Sequence, residues 1–143
     1  MRTVQRIERV RYDATQMFDL VNDIESYPEF LNWCQASCIE RSNEQEVLAT
    51  LDVGLGGVRK RFTTRNALDR PRQMGMELVD GPFRSLRGTW RFENQAEAGC
   101  IVELRLEFEV AHTPLDMMFG MLFEEIVRSQ IAAFIQRAES LYG

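Results

Sequence analysis

The chain has 143 residues, 45% hydrophobic and 27% charged, with a formal net charge of −5. That length suits one domain over residues 1–143, able to bury roughly two-thirds of its unfolded surface, and the composition is ordinary for a soluble globular chain. No run approaches the ~18 uninterrupted apolar residues of a membrane span, and the N-terminus lacks a signal-peptide core, so the cytoplasm is the expected location.

Residues 3–12 predict an opening strand with Val4, Val10 and Tyr12 on one side. Asp13-Ala-Thr-Gln16 reads as a capping box, the carboxylate taking a free amide and Gln16 reaching back. A short helix follows, its buried stripe being Met17, Phe18, Leu20, Val21 and Ile24. Ser26-Tyr-Pro-Glu29 reads as a second capping box opening a very short helix, with Pro28 in the first turn where no donor is lost. A strand is expected near Cys34.

From there the pattern has period two. Val47, Ala49, Leu51 and Val53 alternate with Leu48, Thr50 and Asp52. Gly54-Leu-Gly-Gly57 joins two strand-like segments and lacks a following Lys-Ser/Thr pair, so it predicts a hairpin turn and not a phosphate loop. Over 58–68, Arg59, Arg61 and Arg65 share one face and Phe62 and Leu68 the other. Met74, Met76 and Leu78 share a face, and Leu86, Gly88, Trp90 and Phe92 share the next. The clearest strand is 102–110, with Val102, Leu104, Leu106, Phe108 and Val110 against Glu103, Arg105, Glu107 and Glu109. Thr113-Pro114 then opens a long amphipathic helix to about Leu141, including Leu115, Met118, Phe119, Leu122, Phe123, Ile126 and Val127 in its apolar stripe.

This order predicts an α+β fold: a curved antiparallel sheet of six to seven strands wrapped around a long C-terminal helix, with two short helices after strand 1. A helix is only about 10–12 Å wide, narrower than six or seven strands spaced ~4.8 Å apart. The aromatic connector holding Tyr27, Phe30, Leu31 and Trp33 is therefore expected to plug the hollow that the helix leaves open. Met74, Met76, Met117, Met118 and Met121, with Phe119 and Phe123, offer a soft apolar lining.

Catalytic signals are weak. The lone His112 ends a strand, where a surface or capping role is expected, and no His/Cys/Asp/Glu grouping has metal-ligand spacing. Cys34, Cys38 and Cys100 are odd in number and fit packed, reduced thiols. An inward-turned Asp52 or Glu77 is the route left to acid–base chemistry. Charge is more informative: between Arg59 and Arg91 lie nine basic residues against three acids, a balance of +6 that leaves −11 for the remainder. Such a segment suits a polyanion, or simply neutralises acidic neighbours. Lys60 stands alone beside sixteen arginines, and arginine suits bidentate phosphate contacts.

Four stretches carry a family resemblance: Val21-Asn-Asp-Ile-Glu-Ser-Tyr-Pro-Glu-Phe-Leu31 with Cys34; Phe62-Thr-Thr-Arg-Asn66; Leu78-Val-Asp-Gly-Pro-Phe83 with Leu86, Gly88, Trp90 and Phe92; and Ala133-Phe134 with Arg137, Ala138 and Tyr142. The sequence resembles the coenzyme-Q-binding branch of the START-type, polyketide-cyclase-like superfamily, most closely its bacterial ribosome-association toxins. One departure is Asn32, where such proteins often carry proline.

The resemblance implies a helix-grip (START/Bet v 1-like) fold with a hydrophobic tunnel between sheet and C-terminal helix. It implies no required cofactor and no catalytic triad, but non-enzymatic binding of ubiquinone or another isoprenoid lipid in support of respiration. It also implies binding to the large ribosomal subunit that blocks subunit joining, with a small antitoxin-like protein as a partner. DNA is not an expected partner, and membrane contact is at most peripheral.

Candidate ligand-binding residues are Phe30 and Trp33 at the mouth, Phe62, Met76, Trp90, Phe92 and Phe108 on the sheet, and Met118, Leu122 and Ile126 on the helix. Candidate ribosomal RNA contacts are Arg59, Arg61, Arg65, Arg87 and Arg91. The competing function is a cyclase or dehydratase acting on a polyketide-like substrate in the same cavity.

Overall fold

The alternation along the chain resolves into seven strands and two α-helices in the computed structural model, which describes residues 1–143 apart from the Leu55 side chain. Strand β1 (Arg2–Val10) leads to Asp13, whose carboxylate accepts from the Gln16 amide at 2.8 Å while Gln16 Oε1 accepts from the Asp13 amide at 3.0 Å. This reciprocal box opens α1 (Ala14–Asn22).

The second box does not form. A 3-10 helix runs over Ile24–Glu29 directly from Asp23, without a side-chain cap, and Ser26 lies inside it. The chain turns as soon as α1 ends, the Ser26 amide donating to the Asp23 carbonyl at 3.2 Å. Pro28, lacking an N–H, holds the element to a short 3-10 segment.

Strands β2 (Cys34–Ser42), β3 (Glu46–Leu55), β4 (Val58–Asp69), β5 (Gln73–Asp80), β6 (Phe83–Asn94) and β7 (Cys100–Val110) follow, then α2 (Pro114–Tyr142). The sheet order is β1-β7-β6-β5-β4-β3-β2, every neighbouring pair antiparallel. Gly56 and Gly57, with φ of 60° and 83°, form the two-residue turn between β3 and β4, a conformation that glycine adopts without strain. On the inner face of β6, Gly88 makes room for its neighbour: a Cβ there would stand 2.4 Å from Leu106 Cδ1.

Thr113 caps α2, its hydroxyl accepting from the Asp116 amide at 3.2 Å. The helix lies across the concave face through Phe119, Phe123, Ile126, Val127, Ile131 and Phe134. Seven strands span about 30 Å, far more than one helix covers, and aromatic side chains fill much of the difference. Phe83 stands at the centre of one group, 4.9 Å from Phe123 and 6.0 Å from Phe108. Phe134 centres another, with Trp90 at 5.6 Å.

Candidate functional site

Tyr27, Leu31 and Trp33 belong to a connector, yet all three are buried. Phe134 of α2 explains why: its ring lies 5.5 Å from Tyr27 and 5.4 Å from Phe30, edge-on to both. The Tyr27 hydroxyl donates to the Val21 carbonyl, and burial raises its pKa well above the ordinary phenol value. Arg137 lies 4.9 Å over the Phe30 ring and donates to Glu29 at 3.1 Å. The segment is thus pinned to α2 and closes the gap beside it.

Beneath the closure, between α2 and strands β3 to β7, is a cavity of about 90 Å³. An apolar cavity of about 150 Å³ admits benzene, and ligand sites commonly measure about 300–1,000 Å³. In this closed form the space is too small for a quinone head with its isoprene units. Entry of such a molecule requires the walls or the plug to move.

Of the ten residues expected to bind ligand, Trp33, Phe62, Met76, Trp90 and Ile126 line this cavity. The other five lie elsewhere. Phe92 stacks on Trp90 and meets Phe18 of α1 edge-on. Phe108 is fully buried between Phe83 and Phe123. Both have inward parity, which does not tell a cavity wall from solid packing. Phe30 packs on Phe134 at the outer rim. Met118 is 51% exposed, and Leu122, one turn on, also lies outside the cavity wall. These two sit about 100° around the helix from Phe119 and Phe123, the positions that press on the sheet. Met117 and Met121 are exposed as well, so of the expected soft lining Met74, Met76 and Phe123 face the cavity.

The wall holds polar groups that pattern reading passed over. Thr64 and Asn66, on the inner face of β4, are 8% and 4% exposed, and the Thr64 hydroxyl donates to Asn66 Oδ1 at 2.9 Å. Gln130, midway along α2, is 9% exposed, and its Oε1 is enclosed without a hydrogen-bond partner. Its signal was a lone polar residue inside an apolar stripe at i, i+3 and i+4.

Among the described residues, no Asp, Glu, His, Lys or Arg lines the cavity. Asp52 pairs with Arg61 on the outer face at 2.7 Å, an ion pair that holds its carboxyl below the usual range. Glu77 is exposed. Burial pushes the Cys34 and Cys100 thiols up to about 11, whereas Cys38 is exposed rather than packed. No three or more His, Cys, Asp or Glu among the described residues form a metal-binding group, and no described helix is long and apolar enough to cross a membrane.

Arg59, Arg61, Arg65, Arg87 and Arg91 are all exposed. They do not form a uniformly positive face, because pairing brings acids from the neighbouring strands beside them. Asp52 and Glu46 of β3 meet Arg61 at 2.7 Å and Arg65 at 3.4 Å. Glu107 and Glu103 of β7 meet Arg87 and Arg91 more loosely, each at 4.0 Å. Around Gly75 of β5, whose missing side chain leaves a dent, the outer face is concave, lined by Arg65, Arg87 and Arg105 together with Glu46, Glu77 and Glu107.

The model of the family described as polyketide cyclase / dehydrase and lipid transport matches residues 10–135. The chain belongs to that family. Within it, the chain is 45% identical over 143 residues to the ribosome association toxin RatA of Vibrio cholerae, covering all of this chain and 99% of that one. It is 39% identical to RatA of Escherichia coli K12, over all of this chain and 90% of that one. A more distant family relative is a mitochondrial coenzyme Q-binding protein COQ10 homolog B of Xenopus laevis, 26% identical over 92% of this chain and 56% of that one.

Among solved structures, TTHA0849 of Thermus thermophilus superposes with a TM-score of 0.86 at 18% identity, covering 99% and 100% of the two chains. The Zhui aromatase/cyclase from a Streptomyces species gives 0.84 at 17%, covering 96% and 93%. These likenesses identify the fold: a START-like helix grip.

Proposed function

We propose that this protein is a non-enzymatic helix-grip binder that works from both sides of one sheet. The outer face associates with the large ribosomal subunit and blocks its joining to the small one. The inner cavity holds an apolar ligand of the isoprenoid quinone kind. The observation that carries the ribosomal half is the 39–45% identity, along the whole chain, to proteins named ribosome association toxins. The exposed arginines beside the concavity at Gly75 are suited to RNA phosphates. No RNA-stacking aromatic accompanies them on β4, where Phe62 faces inward, so recognition rests on shape and phosphate rather than base sequence.

The test is gradient sedimentation with separated ribosomal subunits. Cosedimentation with the large subunit, and loss of joined ribosomes as protein is added, are expected. No association at low salt would remove this reading.

The ligand half rests on the mostly apolar cavity under an aromatic plug, with no carboxylate, imidazole or amine in its wall among the described residues. The same observation disfavours a cyclase or dehydratase, which needs a positioned acid or base at the reacting atoms. Native mass spectrometry of gently purified protein tests it. Protein that is ligand-free and also takes up no added quinone or apolar probe would overturn the ligand half.

A further inference from the structure

An apolar cavity that only packed against hydrocarbon would gain nothing from side-chain amides. This one has two, on opposite walls, one from the sheet and one from the helix. Thr64 donates to Asn66 Oδ1 at 2.9 Å, so Nδ2 is the end of that amide left to donate. Across from β4, Gln130 Oε1 is enclosed with no donor among the described residues, and its side chain is 9% exposed. The tyrosine in the wall has no proton to give, because its hydroxyl already donates to the Val21 carbonyl.

The two amides ask for different things: Asn66 has a proton to give and Gln130 Oε1 needs one. A carbonyl or ether oxygen can only accept, so it can answer an amide N–H of Asn66 or Gln130 but leaves Gln130 Oε1 without a donor. A hydroxyl group can do both, its oxygen accepting from an amide N–H and its proton going to an acceptor such as Gln130 Oε1. Once the wall or the plug has moved to admit it, a ring would meet the aromatic side chains of Trp33, Phe62, Trp90 and Phe123.

From this pairing we propose that the cavity selects an apolar molecule bearing a ring hydroxyl, of the phenol or hydroquinone class, over its carbonyl or ether counterpart. The inference rests on the ligand half of the function above and refines it. If the ligand is a quinone, the reduced hydroquinone is the form held more tightly.

The experiment uses three probes of nearly one shape: 4-propylphenol, which donates and accepts; 4-propylanisole, which accepts only; and propylbenzene, which does neither. Binding to the full chain is measured by calorimetry and by ligand-induced shift in thermal melting. The phenol is expected to bind roughly tenfold or more tightly than the anisole, because the anisole leaves a buried acceptor unsatisfied. In Gln130→Leu, and in the closer isostere Gln130→Met, phenol and anisole should bind alike while propylbenzene binds at least as well as before.

Equal binding of the three probes to the unaltered chain would overturn the proposal and leave the ligand half standing. A phenol preference that survives both substitutions would also overturn it. Binding of none would overturn both.

Discussion

The arginine face offers a prediction whose size follows from its ion pairs. Arg59 has no salt bridge among the described residues, while Arg87 and Arg91 reach their partners only at 4.0 Å with side chains 75% and 64% exposed. Arg61, held by Asp52 at 2.7 Å, would first have to give up a carboxylate. The triple variant Arg59→Gln/Arg87→Gln/Arg91→Gln therefore removes the charges most free to meet phosphate. Each lost phosphate contact should lower the slope of log K against log salt by about 0.7–0.9, so the triple change lowers it by roughly 2–3. Affinity near 0.1 M salt should fall about 10²–10³-fold. Asp52→Asn, which releases Arg61, should move affinity the other way by about one contact's worth. Large-subunit cosedimentation from 50 to 500 mM salt reads both. Exposed substitutions of this kind shift stability by only about ±0.5 kcal/mol, so a thermal melt separates misfolding from lost contact. A triple variant with the unaltered salt slope would refute the assignment of this face to RNA phosphate.

Three further outcomes concern the folded state. Cys34 and Cys100 have thiols pushed up to about 11 by burial, from the ordinary 9.0, so the unfolded chain loses those protons first. Their contribution is complete below about pH 9 and drains as pH climbs toward 11, at up to about 1.4 kcal/mol per pH unit per thiol; Cys34→Ala/Cys100→Ala should flatten the alkaline limb of a melting-temperature profile, and an equally steep limb would contradict this. Phe134→Ala removes the ring that holds Tyr27, Phe30 and Trp90, and should cost about 3–5 kcal/mol, roughly 10–20 °C in the melting midpoint. Gly88→Ala forces a methyl to within 2.4 Å of Leu106 Cδ1 and 2.8 Å of the Arg105 carbonyl, and should cost about 1–3 kcal/mol in denaturant titration.

Period and punctuation made the architecture legible. Strand β7 alternates without interruption, Asp13 and Gln16 announce α1, and Thr113-Pro114 announces α2; each is a local device whose physics acts within a few residues. What stayed hidden depends on partners distant in sequence. Phe92 and Trp90 share a face of β6, but only the docking of α1 sends the first into solid packing. The +6 segment looked like a positive face because its balancing acids, Glu46, Asp52, Glu103 and Glu107, sit on strands before and after it. Ser26 had the spacing of a cap, yet the chain began turning at Asp23. Gln130 was visible as an interruption, but its meaning required knowing that the cavity lies in front of it.

Strand β4 assigns its two surfaces by parity alone: Arg61 and Arg65 open outward, while Phe62, Thr64 and Asn66 open inward. Neighbours along the chain therefore meet different surroundings, and a side chain on either surface can be changed without pointing into the other. A scaffold divided in this way can change its inward surface and keep its outward one, or the reverse, one alternate set of codons at a time.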